Sequence, residues 1–396
     1  MEAIVRAVLR KPHTASYTHA CGALDARRAI AAHHSVPGHP PLDPEHVIVT
    51  NGCSGALELV LASLLDPGTS LLVPQPGFPL YEEIAVSNGA NVMKYRLDPT
   101  RNWECDMDHL EEILSESSRN KNNNEIRAMV INNPSSHGAV FSEKHLLELL
   151  DFALKHRLLI VSDEVYGDLT FGNNTFHPLA VVAGPRHGSQ VPVITTSGLS
   201  KQFLVPGWRI GWATFQDNVW GSLHDIEAGA RKLATLQHGC VSHLQQSTIP
   251  TLLSPNTQGL ASWKEQLRAT LDHQARFLCS ELDANCNGLA MLSPPQGSMY
   301  TILRLDLDYF CHSSSSVVIA NDVDFCRELV REENVFVLPG SSFGVPNTIR
   351  VAFSANDSIL EQASSRIAEF CRRHTTREEA EVLQEVVPQQ QRSETE

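Results

Sequence analysis

The stretch "HVIVTNGCSGALELVLASLL", residues 46–65, decides the fold class of this 396-residue chain. Its opening, HVIVTNG (46–52), is a short β-branched run that ends in glycine, which predicts a buried strand. The remainder, CSGALELVLASLL (53–65), continues without a gap as a helix-patterned segment. A strand that passes directly into a helix is the repeating unit of an α/β fold.

The same alternation continues along the chain. Four further buried strands are predicted at 70–78, 128–134, 158–168 and 191–198. Between them, SEKHLLELLDFALKHR (142–157) predicts a helix with Ser142 as its N-cap. The apolar face of that helix is predicted to comprise Leu146, Leu150, Ala153 and Leu154. Continuous apolar strands between helices indicate an α/β fold with a mainly parallel central sheet that helices cover on both faces.

The length of the chain exceeds what one core usually supports, so two domains are expected. We predict a large domain over 43–250 and a smaller α/β domain over 251–372. Strands of the smaller domain are expected within GSMYTILRLDL (297–307), NVFVLPGSSFG (334–344) and NTIRVAFS (347–354). Residues 1–42 are interpreted as an N-terminal helix and a segment that joins the small domain. The charged, Gln-rich tail at 373–396 is expected to be disordered.

Composition argues against several classes of protein. A formal net charge of -14 disfavours nucleic acid as the main partner, because phosphate binding needs a basic face. No stretch approaches the ~20 apolar residues that cross a bilayer, so no membrane span is expected. The nine cysteines include no C-x-x-C pair and the eighteen histidines no H-E-x-x-H, so no metal site is predicted.

The N-terminal segment MEAIVRAVLRKPHTAS (1–16) resembles a transit peptide in its basic and apolar residues. Glu2 and the helical spacing favour an ordinary amphipathic helix instead. We therefore expect a cytoplasmic protein, with a mitochondrial one as the alternative.

Small residues end the first predicted strand and open the helix that follows it. Gly52, Cys53 and Ser54 would let free backbone amides approach an anion, and the helix dipole favours phosphate there. Many strand-to-helix turns carry Gly-Ser without binding anything, so this signal is weak alone. Phe78, in a turn stiffened by prolines, is either a core aromatic or a flat platform for a planar ligand.

Charged residues follow two later strands. Asp163, at the end of a buried strand with Tyr166 close by, needs a cationic partner, either a structural salt bridge or a protonated ring nitrogen. Lys201 lies after another buried strand, where a partly desolvated amine has a lowered pKa and can attack a carbonyl. Arg209, eight residues later in an apolar setting, suits bidentate phosphate binding. Pyridoxal phosphate requires each of these groups, a lysine for the imine and an acid for the ring nitrogen above all.

These residues resemble the fold-type-I pyridoxal-phosphate aminotransferases, and within them the tyrosine aminotransferases. The likeness extends over about residues 2–372. It rests on five segments, TNGCSGALEL (50–59), VPQPGFPLYEEIA (73–85), NNPSSHGAVFSEKHL (132–146), SDEVYGDLTF (162–171) and SGLSKQFLVPGWRIGW (197–212). Among them, S-x-L-x-K followed by PGWRIGW is a specific signal.

The resemblance implies a role for each residue at the cofactor ring. Lys201 would form an imine with pyridoxal phosphate and then move the substrate proton. Asp163 would pair with the ring nitrogen, Tyr166 would donate to the ring phenolate, and Phe78 would stack on the ring.

Further residues are implied at the phosphate and at the substrate. Gly52, Cys53, Ser54 and Arg209 would hold the phosphate. Arg350 would clamp the substrate carboxylate. Tyr17 matches a tyrosine that reaches the phosphate of the neighbouring subunit, so a homodimer is expected. Phe343, in PGSSFG, is expected to line the substrate pocket, with a core position as the alternative.

Two departures from the family pattern stand out. The family has Asn-Pro-x-Gly where this chain has SSHG (135–138), so the asparagine that binds the ring phenolate is missing. Ser135 or Ser136 is the possible substitute, and the loss should raise the pKa of the imine. The chain also begins at what looks like the first helix, so the family's N-terminal lid is expected to be absent or replaced.

We therefore expect transamination of an aromatic L-amino acid, tyrosine or phenylalanine, with 2-oxoglutarate or pyruvate as acceptor, by a ping-pong mechanism. Two alternatives stay open. One is another enzyme of the same fold, a lyase or synthase or a broad-range aminotransferase. The other is a catalytically weakened relative that serves as a binding partner.

Overall fold

The computed structural model describes residues 14–36, 38, 40–119, 125–187, 191–216, 221–310 and 318–374, together with residues 6, 9 and 10. The predicted N-terminal helix lies mostly outside these residues, as does the predicted tail beyond residue 374. Among the described helices, none combines the length and the apolar character that a bilayer crossing requires.

Fourteen α-helices, numbered here in chain order, surround the strands in the described part of the chain. They are α1 Leu24–His34, α2 Gly52–Leu64, α3 Leu80–Ser87, α4 Met107–Arg119, α5 Glu143–His156, α6 Leu179–His187, α7 Leu199–Gln202, α8 His224–Gln237, α9 His243–Gln246, α10 Ile249–Leu252, α11 Leu260–Asn285, α12 Leu307–Phe310, α13 Asp322–Glu333 and α14 Asp357–Arg373. Short 3₁₀ turns occur at Pro44–His46, Pro99–Arg101, Pro206–Trp208 and Gly340–Phe343.

The described strands form two separate sheets. They are β1 Val47–Asn51, β2 Thr69–Gln75, β3 Asn91–Asp98, β4 Glu104–Cys105, β5 Glu125–Asn132, β6 Leu159–Asp163, β7 Val193–Gly198, β8 Ile210–Gln216, β9 Leu289–Met291, β10 Tyr300–Leu305, β11 Leu338–Pro339 and β12 Thr348–Ala352. The first sheet has eight strands in the order β1-β8-β7-β6-β5-β2-β3-β4, and the second has four in the order β11-β12-β10-β9. The proposed domain bounds at 43, 250 and 372 stay a prediction.

The eight-stranded sheet is mainly parallel, as the sequence predicts. Strands β3, β2, β5, β6 and β7 pair parallel in succession, while β8 pairs antiparallel with both β7 and β1. Because β8 runs backwards between two forward strands, its first residue lies at the edge where the others end. Gly198 at the end of β7 is paired with Gly211, and Asn51 at the end of β1 with Ile210. This topology brings the residue before β8, Arg209, to the carboxyl edge of the sheet.

Both faces of this sheet are buried. Neighbouring strand residues alternate between two apolar clusters, with Leu71 and Val161 in one and Leu72 and Ile160 in the other. Helices α2, α3 and α8 contribute to the first cluster and α4, α5 and α6 to the second. The continuous apolar character of the strands therefore reflects burial on both sides.

Helix α5 has the N-cap that the sequence predicts, since the Ser142 side chain accepts a hydrogen bond from the His145 amide. Leu146, Leu150 and Ala153 are fully buried. The prediction for Leu154 is wrong, because that side chain points to solvent with 36% exposed. The buried face of the helix includes Phe152 instead.

The four-stranded sheet is antiparallel throughout. Two of the predicted strands correspond to β10 and β12. The prediction of a strand over 334–344 is largely wrong, because only Leu338–Pro339 pairs before the chain turns into Gly340–Phe343. Pro339 has no amide proton to continue a ladder, which is consistent with this early end.

Candidate active site

A cavity of about 310 Å³ lies at the carboxyl edge of the eight-stranded sheet and reaches β10 and β12 of the other sheet. It is bordered by Cys53, Ser54, Leu57, Phe78, Tyr81, Asn132, Ser136, Asp163, Val165, Tyr166, Ser200, Lys201, Pro206, Arg209, Tyr300 and Arg350. Eight of the residues predicted from the sequence are among them. Of the other three, Gly52 and Phe343 each lie directly behind a bordering arginine, and Tyr17 lies elsewhere.

One end of the cavity is built to bind an anion. Gly52 opens α2 with φ 78°, and a Cβ there would collide with the guanidinium of Arg209. That guanidinium lies over the start of the helix, where it donates to the carbonyls of Asn51 at 3.1 Å and Pro206 at 3.2 Å. A Cβ at Gly211 would collide with the backbone of Gly52. The two glycines therefore allow a cation and the N-terminus of α2 to meet, a donor set that suits phosphate.

The cavity also contains a buried acid. Asp163, at the end of β6, is 3% exposed. Its Oδ2 accepts from the Tyr81 hydroxyl at 2.6 Å, and its Oδ1 accepts from the Cys53 thiol at 3.4 Å and the Val165 amide at 3.2 Å. Burial raises the pKa of the Asp163 carboxyl, and these donors oppose the rise. Within the described ranges, no Lys, Arg or His side chain forms an ion pair with Asp163, so a cation supplied by a ligand would complete this site.

Lys201 borders the same cavity. It belongs to α7, directly after β7, and its half-buried side chain extends into the cavity. The Nζ donates to the Tyr300 hydroxyl at 3.2 Å and lies 5.9 Å from the centre of the Tyr166 ring. Burial raises the pKa of Tyr166 well above its ordinary value, so this phenol stays protonated and can donate to an oxyanion.

Arg350, on β12, approaches the cavity from the four-stranded sheet. Its guanidinium carbon lies 4.3 Å from the centre of the Tyr300 ring and 4.0 Å from that of Phe343. Nη1 donates to the Ser136 carbonyl at 3.5 Å, while the buried Nε has no hydrogen-bond partner in the part of the chain that the structure describes. Burial lowers the pKa of Arg350 from its ordinary value. The two rings hold the guanidinium in place at the border of the cavity, where a guanidinium suits a carboxylate.

The three remaining aromatic predictions fall in different places. Phe78 borders the cavity with 39% of its surface exposed and makes an edge contact with Tyr81 at 5.8 Å between ring centres. Phe343 is 8% exposed and packs against Arg350 without bordering the cavity. Tyr17 is 95% exposed on the protein surface, so its role at a neighbouring subunit stays a prediction.

The SSHG segment separates the two candidate serines. Ser136 borders the cavity, whereas the Ser135 hydroxyl accepts from the Ala139 amide at 2.9 Å and faces its own turn. Asn132, which sequence reasoning overlooked, also borders the cavity. Its side-chain amide donates to the Asp163 carbonyl at 3.0 Å and its oxygen accepts from the Ser136 amide at 2.9 Å. Asn132 thus links the backbone of Asp163 to the backbone of Ser136.

Two further residues of the cavity were missed from the sequence, Tyr81 and Tyr300. Tyr81 follows Phe78 at the three-residue spacing that puts both on one side of a helical turn, and this spacing was an available signal. Tyr300 reads as an ordinary β-strand residue, so no local signal marks it. Across the described residues, no group of three or more His, Cys, Asp or Glu side chains is arranged to hold a metal ion.

The arrangement matches the chemistry of pyridoxal phosphate. The anion-binding helix terminus with Arg209 suits its phosphate, and the buried Asp163 suits its protonated ring nitrogen. Phe78 suits one face of the ring, and Tyr166 the ring oxygen. Lys201 is the amine that its aldehyde needs.

Comparison with known proteins gives the same result. The family described as aminotransferase class I and II matches residues 1–367. Tyrosine aminotransferase from Bos taurus is 35% identical over 368 residues, which is 90% of this chain and 74% of that protein. An S-alkyl-thiohydroximate lyase from Arabidopsis thaliana is 32% identical over 378 residues, 94% of this chain and 76% of that protein.

Among solved structures, tyrosine aminotransferase from Leishmania infantum superposes with a TM-score of 0.82 at 30% identity, covering 95% of this chain and 87% of that one. The extent of these matches, together with the geometry of the cavity, identifies the chain as a member of the class I and II aminotransferases, with pyridoxal phosphate as its cofactor.

Proposed function

We propose that this enzyme transfers the amino group of an aromatic L-amino acid, tyrosine or phenylalanine, to 2-oxoglutarate or pyruvate by a ping-pong mechanism. The observation that carries the proposal is that the Lys201 amine, the Asp163 carboxylate and the Arg350 guanidinium all border one cavity. An amine, an acid and a carboxylate receptor are the three groups that transamination requires of the protein.

When bound, pyridoxal phosphate supplies an aldehyde that condenses with an amine with loss of water, and a ring that withdraws electrons from the substrate Cα. Asp163 would keep the ring nitrogen protonated, which the donors around its carboxylate support. Arg209 and the first amides of α2 would hold the phosphate. Lys201 Nζ would take the proton from the substrate Cα and deliver it to the cofactor carbon, a positioned proton transfer worth about 10²–10⁴-fold in rate.

The substrate class is supported by the residues that surround Arg350. Arg350 would bind the α-carboxylate, which every amino acid and 2-oxo acid carries. Tyr300, whose ring lies against the Arg350 guanidinium, adds aromatic surface to the border of the same cavity. The likeness to tyrosine aminotransferases over most of the chain supports the aromatic assignment.

We also propose a homodimer, in which the exposed Tyr17 of one subunit completes the phosphate site of the other. Its 95% exposure on the isolated chain is the state expected for a side chain that binds across an interface.

The absorption spectrum of the purified protein tests the reaction. After addition of pyridoxal phosphate, L-tyrosine should convert the visible band of the covalently bound cofactor to that of the pyridoxamine form, and 2-oxoglutarate should restore it. Lys201→Ala should bind cofactor without the original band. Alanine and aspartate in place of tyrosine measure the preference for an aromatic side chain, as kcat/KM.

The alternatives predict different outcomes. The lyase from Arabidopsis thaliana among the relatives makes cleavage at the substrate side chain the second candidate. Release of ammonia or of a thiol, with no dependence on an oxo acid, would support that reading. A protein that gives no visible band with the cofactor would contradict both activities and favour a non-enzymatic role.

A further inference from the structure

Asp163 has to remain ionised in a place that disfavours charge. Its side chain is 3% exposed, and burial raises the pKa of its carboxyl. In water such a carboxylate would be surrounded by hydrogen-bond donors. Here the donors have to come from the protein, because an unpaired charge at this depth is costly.

Tyr81 provides the shortest of these hydrogen bonds. Its hydroxyl lies 2.6 Å from Asp163 Oδ2, whereas the Val165 amide and the Cys53 thiol approach Oδ1 at 3.2 and 3.4 Å. A phenol is also a better donor than a thiol. Burial raises the pKa of Tyr81 well above its ordinary value, and the negative charge of Asp163 raises it further. Tyr81 therefore stays a phenol and acts towards Asp163 only as a donor.

The position of Tyr81 is firmly set. It lies in the first turn of α3, is 1% exposed, and makes an edge-on contact with Phe78. One side chain thus contacts both Asp163, which would pair with the ring nitrogen, and Phe78, which would cover one face of the ring. Within the described part of the chain, no other group donates a hydrogen bond to Oδ2, so the loss of this hydroxyl would leave that oxygen without a hydrogen bond from the protein.

We propose that Tyr81 is a positioning residue that keeps Asp163 ionised, and that through Asp163 it holds the proton on the ring nitrogen of the cofactor. Without the phenol, the proton shared by the acid and the ring would shift towards the acid. The ring would then be neutral and would withdraw electrons from the substrate less strongly. The second half of this statement rests on the proposed function, whereas the contact between Tyr81 and Asp163 does not.

Tyr81→Phe removes the hydroxyl and retains the ring against Phe78, so the variant is expected to fold. Tyr95→Phe is a matched control. Tyr95 is also fully buried, and its hydroxyl donates to the neutral carbonyl of Val130 at 2.7 Å, away from the cavity. Tyr95 also forms a hydrogen bond with the Cys105 side chain. Both variants therefore lose the hydrogen bonds of one buried phenol, and only the first loses a hydrogen bond to a carboxylate.

The first measurement uses the holoenzyme reconstituted with pyridoxal phosphate that carries ¹⁵N in its ring. The ¹⁵N chemical shift of the wild type and of Tyr95→Phe should be that of a protonated ring, and that of Tyr81→Phe should move towards the neutral value. The kcat of Tyr81→Phe should fall about ten-fold with little change in KM, as expected for one lost hydrogen bond to a charged group. An unchanged ¹⁵N shift in Tyr81→Phe would overturn the proposal.

The second measurement needs no cofactor and uses the full-length protein without it. A raised pKa means that the folded state binds the Asp163 proton more tightly than the unfolded chain does. Stability is therefore lost as the pH rises from about 4, the ordinary carboxyl range, through the raised pKa of the folded state. Tyr81→Phe is expected to raise that pKa further. The urea midpoint of this variant should therefore approach the wild-type midpoint near about pH 4 and fall increasingly below the wild-type midpoint towards neutral pH.

The other titratable groups around Asp163 are shared by the wild type and both variants. They are Cys53, Glu164, Tyr166, Lys201 and Arg209, and burial raises the pKa of Glu164 to about 7. Their contributions cancel when variants are compared at one pH. Tyr95→Phe should show an offset from the wild type that is independent of pH. The same constant offset in Tyr81→Phe would mean a purely structural role, and would contradict the proposal even if the protein bound no cofactor.

Discussion

At the scale of single residues, the cavity depends on contacts between groups that are far apart in the chain. Lys201 and Asp163 can be identified from the sequence because each lies at or just beyond the end of a buried strand, where an unpaired charge is costly. Tyr300 cannot, because its hydroxyl meets Lys201 only after two separate sheets have come together. The local sequence thus indicates which charged residues belong to the site. The tertiary structure determines which neutral side chains, such as Tyr300, complete the site.

Tyr300 has two contacts that two substitutions can separate. Tyr300→Phe removes the hydroxyl beside Lys201 and keeps the ring under Arg350, so kcat should fall about five-fold at nearly constant KM. Tyr300→Leu also removes the ring, so KM for the amino acid should rise about ten-fold as well. Steady-state kinetics with L-tyrosine measure both constants. Equal effects of the two substitutions on KM would show that the ring does not support Arg350.

Gly52 is required at the start of α2 by its conformation and by its neighbour. Alanine at φ 78° costs about 1–2 kcal/mol, and its Cβ would displace the Arg209 guanidinium. Gly52→Ala should therefore weaken the affinity for pyridoxal phosphate by at least about ten-fold. Gly55→Ala is the control in the same helix, since a Cβ there meets only ordinary contacts at 3.6 Å or more. Equal cofactor affinities in a fluorescence titration would contradict this account of the phosphate site.

At the scale of elements, the strand–helix units were predictable and the irregular segments were not. In the run from β1 into α2, β-branched residues predict the strand, and the helical spacing of apolar residues that follows predicts the helix. The same cues gave β5, β6 and β7. The antiparallel direction of β8 has no local signal, because a strand buried on both faces reads alike in either direction. The sequence predicts a longer strand than the two-residue β11, because the apolar residues before Pro339 are typical of a full strand.

Helix α5 offers a test of local sequence control. Ser142 caps the helix through its contact with the His145 amide, and its hydroxyl donates to Glu104 at 2.7 Å. Ser142→Ala should lower the free energy of unfolding by about 1 kcal/mol, with the cofactor spectrum unchanged. Urea denaturation measures the loss, and Ser142→Thr, which keeps the hydroxyl, should recover most of it. A full loss in the threonine variant would show that the cap is not the source of stability.

At the scale of the whole molecule, the cavity joins two sheets. The eight-stranded sheet supplies the phosphate site, the acid and the lysine at one edge, and β10 and β12 supply Tyr300 and Arg350. A direct link between the two parts is the hydrogen bond from the Gln75 side chain to the Gly344 carbonyl at 2.6 Å. The general α/β class follows from the alternation of strands and helices. The meeting of the two sheets does not follow from it, because that meeting depends on contacts between residues that are 99 positions apart for Lys201 and Tyr300 and 269 for Gln75 and Gly344.

The proposed dimer leads to a complementation experiment. If Tyr17 completes the phosphate site of the neighbouring subunit, Tyr17→Ala and Lys201→Ala impair different halves of one site. In a mixed dimer, one site then combines an intact Lys201 with an intact Tyr17. Random mixing of the two weak variants should restore activity in about one quarter of the sites. Activity equal to the mean of the separate variants would contradict a site shared between subunits.

We propose that Lys201 bonds covalently to the cofactor inside the cavity that contains Asp163 and Arg209. Borohydride reduction of the holoenzyme, followed by proteolysis and mass spectrometry, measures this directly. A phosphopyridoxyl group should be found on the peptide that contains Lys201, and it should be lost in Lys201→Ala. An unmodified Lys201, or the group on a different lysine, would contradict it.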